Sequence, residues 1–217
     1  MSYSPFIAPY NQLPETLPIF PLPGAIVMPG SELPLNIFEP RYLNMVSDAL
    51  STHHMIGMIQ PDPNARDANV LCHTGCAGRI TQYRETNDGR IEMVLSGVCR
   101  YDLGEELPTT RGYRLIVPDW SRFSDDYTDH EDLLRGEHDH LIRMLKRYFD
   151  AKGLQADWSM LERLSTVRLM NSLSMALPIS EQDKQLLLET VEPAQRLHTF
   201  TSLLGDGCQA SGSVTRH

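Results

Sequence analysis

Residues 18–42 read PIFPLPGAIVMPGSELPLNIFEPRY, with six prolines and two glycines among short apolar runs. Proline locks φ and donates no backbone hydrogen bond, so the stretch forms neither one long helix nor a set of central strands. The spacing predicts short edge-type strands at 19–22, 25–28 and 33–38. They break at Pro23-Gly24 and Pro29-Gly30, because proline presets one turn position and glycine tolerates positive φ at the next. Pro40 suits the first turn of a helix, where a missing N–H costs nothing. Tyr42, Leu43, Val46, Ala49 and Leu50 then recur at helical spacing, which predicts a helix over Pro40–Leu50.

Downstream, Met55–Ile59 is a short apolar strand closed by Pro61-Asp62-Pro63, and 61–69 is a polar loop. The segments 80–85 and 90–98 flank Thr86-Asn87-Asp88-Gly89, a hairpin signal because such a turn needs positive φ. Residues 112–120 form a further strand, with Tyr113, Leu115 and Val117 on one side. The polar, acidic segment 121–132 is expected to be a hinge. From about Asp129 the period becomes helical: Leu134, Leu141, Leu145 and Tyr148 form one stripe that ends before Gly153. Trp158, Leu161 and Leu164 begin a second segment, which Leu169, Leu173 and Leu177 continue to Pro178. Ser180-Glu181-Gln182-Asp183 has the form of a helix cap, and Pro193 opens a last helix with Leu197, Phe200 and Leu204 on its apolar face. The expectation is an α+β fold with a β-barrel subdomain over about 14–120, a helical bundle over about 129–204 and a flexible tail over 205–217.

An apolar share of 41 % with 22 % charged residues is the composition of a soluble globular chain. No run of about 18 apolar residues occurs, so no transmembrane helix and no membrane partner is expected. The first fifteen residues lack a basic region and an apolar core, which argues against a secretory signal. The four cysteines are too few and too scattered for a disulfide framework, which points to a reducing cytoplasm. The net charge is −9. Residues 1–120 hold eight arginines, no lysine and thirteen acids, and the remainder holds eleven bases and fifteen acids. Neither part supplies the basic surface that a phosphate backbone requires, so nucleic acid is not an expected partner.

The 18–42 stretch, in particular its IFPLPGAIVMPGSELPLNIFEPRY, resembles the opening signature of the Lon N-terminal domain family, the substrate-binding domain of Lon-type ATP-dependent proteases, which also has stand-alone members. Gly75-Cys76-Ala77-Gly78-Arg79-Ile80 resembles the family's second motif. Asp88-Gly89-Arg90 followed by Leu95-Ser96-Gly97-Val98-Cys99-Arg100-Tyr101 resembles its third. The similarity spans roughly residues 16–204. It implies a PUA-type barrel followed by helices, and a non-catalytic module that binds unfolded or damaged protein clients, with a separate protease as a further partner. The alternatives are a small-molecule or enzymatic pocket between barrel and bundle, and an adaptor for another protease.

Reactive chemistry finds little footing. Cys72, His73 and Cys76 lack the second ligand pair that a structural zinc site wants, and Cys76 and Cys99 read as small buried hydrophobes. His130, Glu137, His138 and His140 read as a charged helix surface. No phosphate loop and no nucleophile elbow occurs, so no catalytic residue, metal or cofactor is expected. Prolines and adaptable methionines suggest a peptide-binding surface of Pro23, Met28, Pro29, Leu33, Met55 and Met58. Glu39, Arg41, Arg79 and Arg100 read as structural. A buried arginine must be paired, so Glu39 is expected to bond Arg79 or Arg100 and to pin the helix onto the barrel.

Overall fold

The computed structural model describes residues 9–67, 69–128 and 132–212. Six strands lie among them: β1 (Leu17–Pro21), β2 (Glu32–Ile37), β3 (Met55–Ile59), β4 (Thr74–Glu85), β5 (Ile91–Leu107) and β6 (Arg114–Asp119). Their order is β2-β5-β4-β3-β1-β6, and β5 also pairs with β6. The 17-residue β5 therefore closes five strands into a ring: its first part pairs with β2 and β4, and its last part with β6. The β1–β3 pair is parallel and the others are antiparallel.

Proline places these strands. Segment 25–28, expected to be a strand, is irregular backbone with Ile26, Val27 and Met28 buried. It docks on Gly97, where a Cβ would overlap the Met28 carbonyl oxygen. Gly30 sits at φ +74, the left-handed region that suits glycine, and lets the chain re-enter the sheet as β2. Helix α1 (Pro40–Leu50) begins on Pro40 as expected. Its Tyr42, Met45, Val46 and Ala49 pack with Phe20, Ile37, Met93 and Leu95 in one core. A second core fills the ring with Leu17, Ile19, Val98, Tyr101, Ile116 and Phe123.

The helical part comprises α2 (His138–Lys152), α3 (Trp158–Leu161), α4 (Thr166–Ala176), α5 (Glu181–Glu189) and α6 (Pro193–Gly212), around a core that includes Leu145, Tyr148, Leu169, Leu187 and Phe200. Gly153 caps α2 at φ +64, and the Ser180 hydroxyl accepts the Asp183 N–H as the cap of α5. Two expectations are corrected. The last helix continues to Gly212, so 205–212 is not a loose tail: Gly207 lies against Tyr148, and Cys208 packs on the bundle core. Residues 213–217 of the expected tail lie outside the described residues. The expected hinge is 3-10 helix over Ser121–Tyr127, with Phe123 buried in the barrel core. Its residues 129–131 lie outside the described residues.

Candidate functional site

Arg100 organises the junction between barrel and bundle. It lies on β5 and is 2 % exposed. Its Nη2 donates to Asp126 Oδ1 at 2.7 Å and its Nε to Asp126 Oδ2 at 3.0 Å, while Nη1 donates to the carbonyls of Leu188 (3.0 Å) and Thr190 (2.7 Å). The guanidinium stacks 4.5 Å from the centre of the Phe123 ring. Arg196, on α6, reaches the same turn: Nε donates to the Thr190 carbonyl (3.1 Å), Nη2 to that of Val191 (3.1 Å) and Nη1 to Asn171 Oδ1 (3.0 Å). Burial, with Arg100 nearby, pulls the Arg196 guanidinium down to about 9. The Asn171 amide donates to the Pro29 carbonyl at 3.1 Å, which ties the proline segment to α4. Beside this chain, Gln60 Nε2 donates to Gln185 Oε1 at 3.0 Å, and Gln185 Nε2 donates to the Thr74 carbonyl at 3.0 Å. These hydrogen bonds tie the two parts together.

The expected arginine partners are therefore corrected. Glu39 is half-exposed and bonds Arg41, at 2.9 Å, rather than Arg79 or Arg100. Arg79 donates to the His53 carbonyl at 3.3 Å. The acid that holds α1 to the barrel is Asp48, which takes Arg111 in a two-pronged pair at 2.9 Å and the Tyr113 hydroxyl at 2.9 Å. Local spacing drew Glu39 to a neighbour two residues away.

The expected binding surface is also only partly a surface. Met28, Met55 and Met58 are fully packed inside the cores, where flexible thioethers fill irregular space. Pro29 is half-buried and offers its carbonyl to the bundle. Pro23 is exposed at the turn whose Gly24 carbonyl accepts from Lys184. Leu33 remains half-exposed on β2.

Around Leu33 the structure assembles what sequence reasoning missed. In the β2–β5–β4 register, Leu35 lies opposite Met93 and Met93 opposite Tyr83, so the three share a face. Ile37 and Ile91 form the next row. Tyr83 is 54 % exposed, and Phe38, just past β2, is 61 % exposed with the Arg90 guanidinium 5.6 Å from its ring centre. Leu33, Leu35 and Ile91 stand half-exposed at the rim of the α1 core. Tyr83 thus stands on the face of Leu33, Leu35 and Ile91, and Phe38 is exposed at the end of β2, where the Arg90 guanidinium lies over its ring. The sequence signal was an aromatic among polar residues, Tyr83 between Gln82 and Arg84.

Three of the four thiols, Cys72, Cys76 and Cys99, are buried. Cys76 and Cys99 are fully buried, and burial raises both well above the usual thiol range; it pushes Cys72 up to about 11. Cys72 donates to the Pro61 carbonyl. Among the described residues, no group of three His, Cys, Asp or Glu side chains could hold a metal ion. Glu137 and His140 are exposed on the bundle surface, His138 is half-buried against the Leu164 carbonyl, and His130 lies outside the described residues.

A strand ring flanked by one extra strand, capped by α1 and joined to a helical bundle, is an α+β architecture. Residues 16–206 match the ATP-dependent protease La (LON) substrate-binding domain. The chain belongs to that family. It is 23 % identical over 203 residues to Lon protease 2 of Bdellovibrio bacteriovorus, covering 89 % of this chain and 25 % of that one. It is 24 % identical over 207 residues to the Lon protease of Elusimicrobium minutum, covering 90 % and 24 %. The chain thus spans about a quarter of the length of these relatives. Among solved structures it resembles the Lon N-terminal domain protein from Xanthomonas campestris, with TM-score 0.64, 27 % identity and coverage of 86 % of this chain and 97 % of that one. The N-terminal domain of the Mycobacterium avium complex Lon protease shares the fold, with TM-score 0.66, 16 % identity and coverage of 88 % and 98 %. No helix among the described residues is long and apolar enough to cross a membrane.

Proposed function

We propose that this chain is a non-catalytic protein-binding module that holds apolar segments of unfolded or damaged proteins in the cytoplasm, for a protease that acts on them. The observation that carries this reading is the exposure of Tyr83 on the face of Leu33, Leu35 and Ile91, with Phe38 also exposed at the end of β2, in a member of a substrate-binding family. Exposed aromatic rings at the edge of a rigid sheet give contact area at low entropic cost, because the scaffold is already ordered. The net charge of −9 disfavours nucleic acid as the partner.

The test is binding of a fluorescent, reduced and carboxymethylated protein, compared with its native form. Wild type should bind the unfolded form selectively, and the Phe38→Ser/Tyr83→Ser double variant should bind it at least about tenfold more weakly with an unchanged unfolding midpoint. Equal binding by wild type and variant would overturn the assignment of this surface.

A further inference from the structure

The sheet topology offers a way to grip an extended client. Ring closure occupies both sides of most strands, whereas β2 pairs only with β5 among the described residues. The Gly97 N–H donates to the Ser31 carbonyl at 2.8 Å, and the Gly30 N–H donates to the Gly97 carbonyl at 3.0 Å. Ser31 therefore faces β5. Two-residue alternation turns the backbone groups of Leu33, Leu35 and Ile37 toward β5 and those of Glu32, Pro34 and Asn36 outward. Glu32, Pro34 and Asn36 are exposed. The outer edge thus offers three carbonyls and two N–H groups, since Pro34 has none.

We infer that an extended client segment binds here as an added strand beside β2, with alternate apolar side chains continuing the Tyr83–Met93–Leu35 row. This rests on the proposed client-binding function and specifies its mode. Pro34 argues for a client over a second copy of this chain. A symmetric pairing of two β2 strands centred on Pro34 would set two proline carbonyls together with no N–H between them, whereas a client forgoes one bond. The end of β4 beyond Ile80 is another open edge among the described residues, but it carries Gln82 and Arg84 and follows a register shift between Ile80 and Gln82. A bulge of that kind twists an edge away from pairing.

The probe is a dye-labelled peptide, Lys-Val-Thr-Phe-Thr-Val-Thr-Phe-Thr-Lys, with two variants N-methylated at alternate residues, one in each frame. Strand addition requires that one frame lose binding by at least about tenfold and the other by less than about threefold, because only one set of N–H groups faces β2. A spin label on Asn36→Cys should broaden the peptide's resonances. Equal effects of the two frames would overturn strand addition while leaving capture by side chains, and the proposed function, intact. Broadening from a label on Glu85→Cys but not from Asn36→Cys would overturn it in favour of the β4 edge. Failure of the unmethylated peptide to bind wild type, when the unfolded protein does bind, would also overturn it.

Discussion

Arg100 on the barrel and Asp126 on the 3-10 segment that leads to the bundle form a two-pronged ion pair, buried to 2 % and 6 % side-chain exposure. The Asp126 carboxylate also accepts the Arg100 backbone N–H at 2.8 Å. The segment expected to act as a hinge is thereby held to the strand ring, and Arg100 passes the contact on to the carbonyls at the end of α5.

Removing one member of this pair strands a charge in the interior. Asp126→Asn or Arg100→Ala is expected to cost about 3–5 kcal/mol, and a double replacement by Met and Leu to cost less than either. Denaturant unfolding of the three variants checks this, and additive single and double costs would refute the coupling.

The methionines and the exposed rings should separate cleanly. Met28→Ala and Met58→Ala each empty a packed core and should lose about 2–5 kcal/mol of stability. Phe38→Ser and Tyr83→Ser should stay within about 1 kcal/mol of wild type while client binding falls. Binding and unfolding measured on the same four proteins decide between a core role and a surface role.

Gly97 touches the Met28 carbonyl so closely that a side chain there has nowhere to go. Gly97→Ala should destabilise by about 1–3 kcal/mol, and more if the 25–28 segment detaches. Gly89, with open space around its Cβ position, is strained only by its φ of +81, so Gly89→Asn is the mild control in the same thermal melt.

The buried thiols and Tyr101 set an alkaline limit. Burial raises Cys76, Cys99 and Tyr101 above their ordinary values of 9.0 and 10.0. The unfolded chain therefore releases these protons first, and the stability they contribute is complete below about pH 9 and falls as pH rises beyond it. Arg196 acts in the opposite sense, since its lowered value lets the folded state release a proton earlier. Cys72 and several partly buried tyrosines are raised as well, and Lys184 joins Arg196. The raised thiols and phenols outnumber the lowered bases, so stability should decline above pH 9, and Tyr101→Phe should flatten the decline. In the native protein at neutral pH, a thiol reagent should label Cys208 and spare Cys72, Cys76 and Cys99.

Much of the scaffold was legible from local chemistry. Helix α1 over Pro40–Leu50 and strand β3 over Met55–Ile59 fall where periodicity and proline placed them. Strand 25–28 failed because its apolar residues satisfy the core without a ladder, a choice made by Gly97 on a distant strand. The candidate site was half legible: Leu33 lies in it, but methionine content could not tell a buried thioether from an exposed one.

Proline and glycine positions, helix caps and apolar period act within a few residues, so the sequence by itself determined the bounds of α1 and β3 and that the chain is α+β, whereas β4 and β5 run well beyond the expected 80–85 and 90–98. The partner of Arg100, the burial of Met28, Met55 and Met58, and the exposure of Phe38 and Tyr83 were decided only by tertiary structure. Each depends on strand pairing and docking between groups far apart in the chain, over separations that no local pattern encodes.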